Sequence, residues 1–274
     1  MICFKLIKDV LDEIYVGLPA KSRDDQIRDK LRELEKEYRK LLVGVKVDYS
    51  NPATRFAYVF KYVTSHANMV FQVIEFNKQL GKCFDEQRLT LTCIGGGPGS
   101  DLLGVLKYLD EYNKAPQIMC YLLDRERLWN ETWGDVGSKV GTEFMLSTNV
   151  MPFDILDKKS WEPFVKYLNA DIFTLIYFIS EIYKKRAEAE PFFDHLFTKA
   201  KKNSYMLFID NGAYSFYEWF DGLVTKHHYN IVESAQGKIR MPQKEQAADL
   251  GEYFDKFGSP KITANIAYRI IQKP

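Results

Sequence analysis

Glycine recurs at alternate positions, Gly95, Gly97 and Gly99, within the stretch Cys93-Ile94-Gly95-Gly96-Gly97-Pro98-Gly99-Ser100-Asp101, and an acid, Asp124, follows one helix-like and one strand-like segment later. Glycines let a backbone approach a ligand closely and adopt positive φ, while a helix N-terminus behind them offers free N–H groups and the positive end of a dipole. Such a loop binds a polar or anionic group. The dinucleotide fingerprint G-x-G-x-x-G needs a third small residue, Gly or Ala, but that slot is Leu102 counted from Gly97 and Ser100 counted from Gly95. No Lys-Ser or Lys-Thr follows, so a phosphate loop of the G-x-x-x-x-G-K-[ST] kind fails as well. What fits is a nucleoside lying over the loop, with Asp124 accepting both ribose hydroxyls.

These residues need elements to hold them. From Arg88 onward, RLTLTCI, QIMCYLL, EFMLSTN, DIFTLIYFI, SYMLFID and NIAYRIIQK are short apolar runs separated mostly by helical spacing. Continuous apolar runs suit a sheet covered on both faces, so the expected architecture is α/β, with parallel strands and helices on both sides. Tyr214 to Pro260 reads as two helices around a short hairpin near Tyr229 to Met241. The first 80 or so residues are helical in pattern: an amphipathic Met1–Tyr15, a charged Ser22–Leu42, and a long buried helix that Asn51-Pro52 starts and Gly81 ends. This divides the chain into a helical cap, 1–84, and a ligand-binding domain, 85–274.

Composition excludes several classes. The 274 residues are 46% hydrophobic and 27% charged, as in folded globular proteins, and the formal net charge of +1 is far from that of a dedicated nucleic-acid binder. The four cysteines, Cys3, Cys83, Cys93 and Cys120, contain no C-x-x-C pair, so neither a disulfide framework nor a zinc site is expected, and no metal. Charges at Lys5, Lys8, Asp9 and Asp12 interrupt what would be a signal core, and no uncharged run is long enough for a membrane span. The expectation is a soluble, non-secreted protein of cytoplasm or nucleus; the oligomeric state is open.

Between Arg88 and about Asp210 the chain resembles the class I S-adenosylmethionine-dependent methyltransferases, through GGGPGSD and the strand ending in Asp124. The resemblance implies a Rossmann-like sheet, with Gly95, Gly97 and Gly99 against the methionine part of S-adenosylmethionine, Asp124 on the ribose and Asp154 near the adenine. Asp154 and Asp157 also suit helix caps before KKSWEPF. Many members of that class carry an acid two residues before the first glycine, where this chain has Cys93, so the methionine amino group needs Asp101 or a group from the cap. A further likeness, in IGGGPGSDLLG, FTLIYFISEIY, MLFIDNGAYS and RFAYVFKYVTSHA, is to the fungal large-subunit rRNA uridine-N3 methyltransferases and their uncharacterised animal relatives.

Methyl transfer is an in-line displacement, so the enzyme chiefly positions the acceptor, excludes water and removes a proton where necessary. The acceptor belongs beyond the fourth strand, which puts Ser180 and Glu181 at the chemistry, with Phe178 facing the sulfonium or a flat substrate. Glu181 equally suits an ion pair with Lys184 or Lys185. On the long cap helix, Arg55 and Tyr58 are candidates for the methionine carboxylate, and Tyr62 and His66 for the substrate side; the same stripe also reads as core packing. No Asp-Pro-Pro-Tyr or Asn-Pro-Pro-Tyr motif and no cysteine follows the fourth strand, which argues against exocyclic-amine and covalent pyrimidine chemistry. The acceptor is then a nitrogen or oxygen, on a base in RNA or on a small molecule. Lys184-Lys185-Arg186 and Lys199 to Lys202 are the candidate phosphate contacts, and His227-His228 reads as solvated. A binding protein that has lost catalysis is the alternative that Cys93 supports.

Overall fold

The computed structural model describes residues 1–141 and 143–274. The cap is formed by α1 (Cys3–Val16), α2 (Arg23–Tyr38), α3 (Pro52–Tyr58), α4 (Thr64–Phe76) and the single turn α5 (Lys78–Gly81). The Asn51 side chain accepts from the N–H groups of Ala53 (2.9 Å) and Thr54 (3.3 Å), and Pro52 supplies the first-turn φ, so α3 starts where its capping chemistry dictates. Between α3 and α4 the helix widens into a π-turn over Val59–Val63. The one long helix expected from the spacing runs on through this local insertion, a feature frequent at functional sites, but ends at Phe76 and not at Gly81: Asn77 is extended, and its side chain caps the separate turn α5.

The remainder is a seven-stranded sheet: β1 (Arg88–Ile94), β2 (Gln117–Asp124), β3 (Leu146–Pro152), β4 (Ile172–Ile176), β5 (Tyr205–Asn211), β6 (Asn230–Arg240) and β7 (Thr263–Gln272), in the order β3-β2-β1-β4-β5-β7-β6. β1 to β5 are parallel, but β7 runs antiparallel between β5 and β6. The helices α6 (Ser100–Glu111), α7 (Trp129–Lys139), α8 (Lys158–Trp161), α9 (Phe178–Ile182), α10 (Arg186–Lys199), α11 (Tyr214–Lys226) and α12 (Glu252–Phe257) lie in the connections. Two apolar layers sandwich the sheet, one built with the cap, α6 and α7, the other with α10 and α11.

Three sequence expectations are corrected. The sheet is mixed, because the last apolar run returns beside β5 in the reverse direction. The third strand begins at Leu146, three residues after the start of EFMLSTN. Tyr229 to Met241 is no short hairpin but a long edge strand, mostly exposed, whose partner arrives 22 residues later in the chain. An edge strand with water on both faces has no apolar run to announce it.

A buried polar contact ties the cap to the sheet. Lys107 of α6 and Glu245 form an ion pair whose side chains are 5% and 0% exposed, and Lys107 also donates to Asn68 Oδ1 at 2.7 Å. Glu245 in turn accepts from the backbone N–H groups of Cys3 (2.9 Å) and Phe4 (3.2 Å), the free donors at the start of α1. Among the described residues no helix is long and apolar enough to cross a membrane.

Candidate functional site

The strand order reverses between β1 and β4, and the carboxyl ends of strands at such a switch point form a crevice. β1 leads into the glycine loop, whose Gly95, Gly97 and Gly99 have φ of +68°, +48° and +84°. Gly95 is backed by the Phe178 ring and Gly99 by Trp133, so a side chain at either would collide. A Cβ at Gly97, by contrast, would fit without a clash, in van der Waals contact with Trp129 at 3.8 Å and with the Asp124 carboxylate at 3.9 Å. Gly97→Ala is expected to fold with about 1 kcal/mol lost to backbone strain, and to weaken nucleoside binding roughly tenfold or more by placing a methyl group in the crevice; thermal unfolding and calorimetry separate the two effects.

A cavity of about 530 Å³ opens at this point, lined by Gly95, Gly97, Asp124, Trp129, Asp154 and Phe178 among others. Asp124 stands at the end of β2, where it accepts from the N–H of Gly97 (3.0 Å) through Oδ2 and of Glu126 (2.9 Å) through Oδ1. Each oxygen keeps a lone pair for a hydroxyl. Burial raises its pKa to about 6, against the pull of those two N–H bonds. Asp154 lines the cavity and accepts from Leu156 N–H (3.0 Å), whereas Asp157 caps α8. The connection between α2 and α3 lies over the opening, contributing Val43 to Val47 and Tyr49. Tyr49 packs against Trp129 with ring centroids 5.0 Å apart, and Tyr58 against both at 5.5 and 5.4 Å.

The other candidates separate by position. Tyr58 reaches this cavity, but Arg55 does not line it: its guanidinium donates to the carbonyls of Tyr49 and Ser50 and pairs with Glu131 at 2.9 Å, which fastens the connection above. Asp101 also lies outside it. Its carboxyl accepts from Thr174 and Ser100 within the core, and burial lifts its pKa to about 7. Cys93 is buried beside Cys120 on the neighbouring strand.

A second cavity of about 500 Å³ lies alongside, and Tyr177 and Glu181 line both. Tyr62, His66, Ser180, Asn211 and Lys261 line the second cavity only. Tyr177 sits in the left-handed region with φ of +54°, a strained conformation for a bulky residue that swings its ring between the two spaces. His66 stacks on that ring at 4.3 Å and 14°, and Tyr62 stacks on His66 at 5.8 Å. The Glu181 carboxylate accepts from Tyr38 OH at 2.8 Å, and no ion pair joins it to Lys184 or Lys185 among the described residues. Burial raises its pKa to about 7. Ser180 donates its N–H to Asp210 at 2.8 Å, and its hydroxyl accepts from Asn211. His227 lies elsewhere, bonded to Asp194 at 2.7 Å.

Sequence reasoning passed over Tyr38, Tyr49, Tyr177, Asn211 and Lys261. Only Tyr177 left a trace, as the residue that follows the strand at the switch point.

No protein-family model matches the chain, and no curated protein matches it in sequence. Solved structures align with it in three dimensions. The 16S rRNA methylase ArmA aligns at a TM-score of 0.46 and 11% identity, over 89% of this chain and 98% of its own. An O-methyltransferase family protein from Burkholderia thailandensis aligns at 0.46 and 15%, over 91% and 72%. Precorrin-6y C5,15-methyltransferase from Geobacter metallireducens aligns at 0.44 and 12%, over 71% and 85%. Similarity this distant says nothing about substrate; the sheet order, with five parallel strands, a reversed seventh between the fifth and sixth, and helices on both faces, gives this chain a Rossmann-like α/β fold.

Proposed function

We propose that the chain is an S-adenosylmethionine-dependent methyltransferase acting on a nitrogen or oxygen acceptor. The observation that carries this reading is the meeting of two cavities at Tyr177 and Glu181, one floored by a glycine loop and a ribose-suited carboxylate, the other walled by aromatic rings. The first cavity fits the donor: a side-chain-free backbone at Gly97, two carboxylate lone pairs on Asp124, and the Trp129 ring and Asp154 for the adenine. When bound, S-adenosylmethionine supplies an electrophilic methyl group. Phe178 packs on Gly95 and holds the loop in shape, and Tyr58 and Tyr49 close the cavity against water. With Asp101 engaged by Thr174, the methionine amino group finds its partners among backbone carbonyls and the covering connection.

Tyr62 and His66 then contact the acceptor, Glu181 accepts a hydrogen bond from its N–H or O–H, and Ser180 holds the α9 turn on Asp210. Glu181→Gln is expected to lower kcat/KM by about 10- to 100-fold, with S-adenosylhomocysteine affinity changed less than about twofold; an equal loss in both would assign Glu181 to the donor. A base in RNA is the acceptor favoured by the likeness in IGGGPGSDLLG and FTLIYFISEIY, and by the lysines 184 and 185 on the rim of the first cavity and Arg39 and Lys61 on that of the second. A small-molecule acceptor is the second reading, favoured by a second cavity sized for one ring system. Transfer of a labelled methyl group to total RNA or to a small-metabolite extract tests both readings: label in RNA that falls steeply with salt supports the first, and label only in the extract supports the second. No label in either pool, from protein that binds S-adenosylhomocysteine, leaves the binding-protein alternative.

A further inference from the structure

We propose that Lys261 is the proton acceptor of the second cavity, and that this cavity takes a flat aromatic acceptor carrying a weakly acidic ring O–H or N–H. This rests on the methyltransferase reading above but concerns a residue that reading does not use.

Lys261 precedes β7, and its backbone N–H bonds to the Lys61 carbonyl at 2.9 Å, so the strand and the π-turn of the cap hold it together. Its Nζ lies 4.4 Å from the centroid of the Tyr177 ring and 5.7 Å from that of Tyr62, and it donates to Tyr177 OH at 3.3 Å. No carboxylate lies within ion-pair distance of it among the described residues. The charged and titratable groups around it are Glu35, which pairs with Lys61 at 2.9 Å, Arg39, Glu181, bonded to Tyr38, Asp210, bonded to Ser180 and Asn211, and the rings of Tyr62, His66 and Tyr177. An amine held by aromatic faces without a counter-ion loses hydration and gains little in return, and its pKa falls to about 8. At pH 7 about a tenth of it carries a free lone pair, and half does at a pH equal to its pKa.

A second observation points to a ligand. His66 is 4% exposed, lines the cavity, and has an Nε2 with no hydrogen-bond partner. Burial and the neighbouring Lys261 hold it neutral. A buried orphan of this kind costs about 1–3 kcal/mol unless something completes it, and a polar ring edge entering the cavity would do so. The walls are π surfaces, which favour a flat guest.

The step balances within the acceptor and this side chain. The ring X–H bond breaks, the proton moves to the Nζ lone pair, and the electron pair stays on X as the nucleophile. The resulting ammonium faces the Tyr177 ring and returns its proton to water after product leaves.

The test uses the intact protein and two coloured probes, 4-nitrophenol as a ring O–H acid and 4-nitroimidazole as a ring N–H acid. Below the probe's own pKa, the wild type is expected to bind at least one of them in its ionised form, seen by absorbance. Lys261→Met should weaken that binding at least about tenfold, while Lys261→Arg, which keeps a cation, should retain it. Which probe responds tells an O–H from an N–H acceptor. Separately, competitive acetylation across pH, read by peptide mass spectrometry, should give Lys261 a midpoint near 8, and the responding probe should protect it. An ordinary lysine midpoint, equal probe binding by wild type and Lys261→Met, or no binding of either probe overturns the proposal; the acetylation arm decides even if a variant fails to fold. S-adenosylhomocysteine binding by the same preparations keeps the donor reading separate: its loss in every protein would end that reading while the labelling still judges Lys261.

Discussion

Asp124→Ala is expected to weaken S-adenosylhomocysteine binding by at least about 100-fold, since two hydrogen bonds from hydroxyls to a shielded carboxylate are together worth about 3 kcal/mol. Calorimetric titration reads this directly, and affinity unchanged within about threefold would remove Asp124 from the ribose. The variant should fold, because the Gly97 and Glu126 amides freed by the change lie at the cavity surface, where water reaches them. Ionisation supplies a second readout. The carboxyl titrates near 6, and the ionised form is the better acceptor, so wild-type affinity should climb as pH rises through that value and then level off. Asp124→Asn should flatten the climb. For the unliganded fold the sign is opposite. Asp101, Asp124, Asp210 and Glu181 all have pKa values raised by burial, so between about pH 4 and the values near 6 and 7 the folded chain holds protons that the unfolded chain has released. Stability from these four groups is greatest below that window and declines as pH rises through it.

Glu245→Ala should strongly destabilise the junction between cap and sheet, costing about 3–5 kcal/mol. It strands the buried ammonium of Lys107 and removes the acceptor for the first N–H groups of α1. For a chain of this size that corresponds to a fall in Tm of roughly 10 °C. The double change Lys107→Met with Glu245→Gln should lose less than the single alanine, because no charge is left unpaired and the amide oxygen still accepts from Cys3 and Phe4. A single variant that melts within a degree or two of wild type would show that Lys107 finds water.

The parts legible in the sequence were those where the backbone demands a residue type. Gly95, Gly97 and Gly99 occupy positive φ, and Asn51-Pro52 caps a helix; each requirement is met within a few residues and so leaves a local mark. The acceptor side left almost none. Tyr38, Tyr177, Asn211 and Lys261 come from α2, the end of β4, the end of β5 and the approach to β7, and only the strand order brings them to one cavity. Arg55 and Asp101 show the converse. Each sat at a plausible spacing, but local partners, Glu131 for one and Thr174 for the other, take up the polar groups first. The edge strand β6 was hidden because exposed strands need no apolar pattern.

The placement of β7 between β5 and β6 also governs how this protein can be made. A nascent chain that has emerged only as far as β6 has β1 to β4 in place beside β5, yet β5 presents an open apolar edge, and β6 has nothing to pair with. Residues 263–272 close both edges in one step, and Glu245, which clasps α1, arrives only shortly before them. The start of α1 therefore waits for Glu245 before its free N–H groups are satisfied, although α1 packs on α7 and α4 on α6 earlier. Synthesis of this protein carries a long interval of exposed edge, the interval in which holding chaperones act, and any product ending before Thr263 never leaves it.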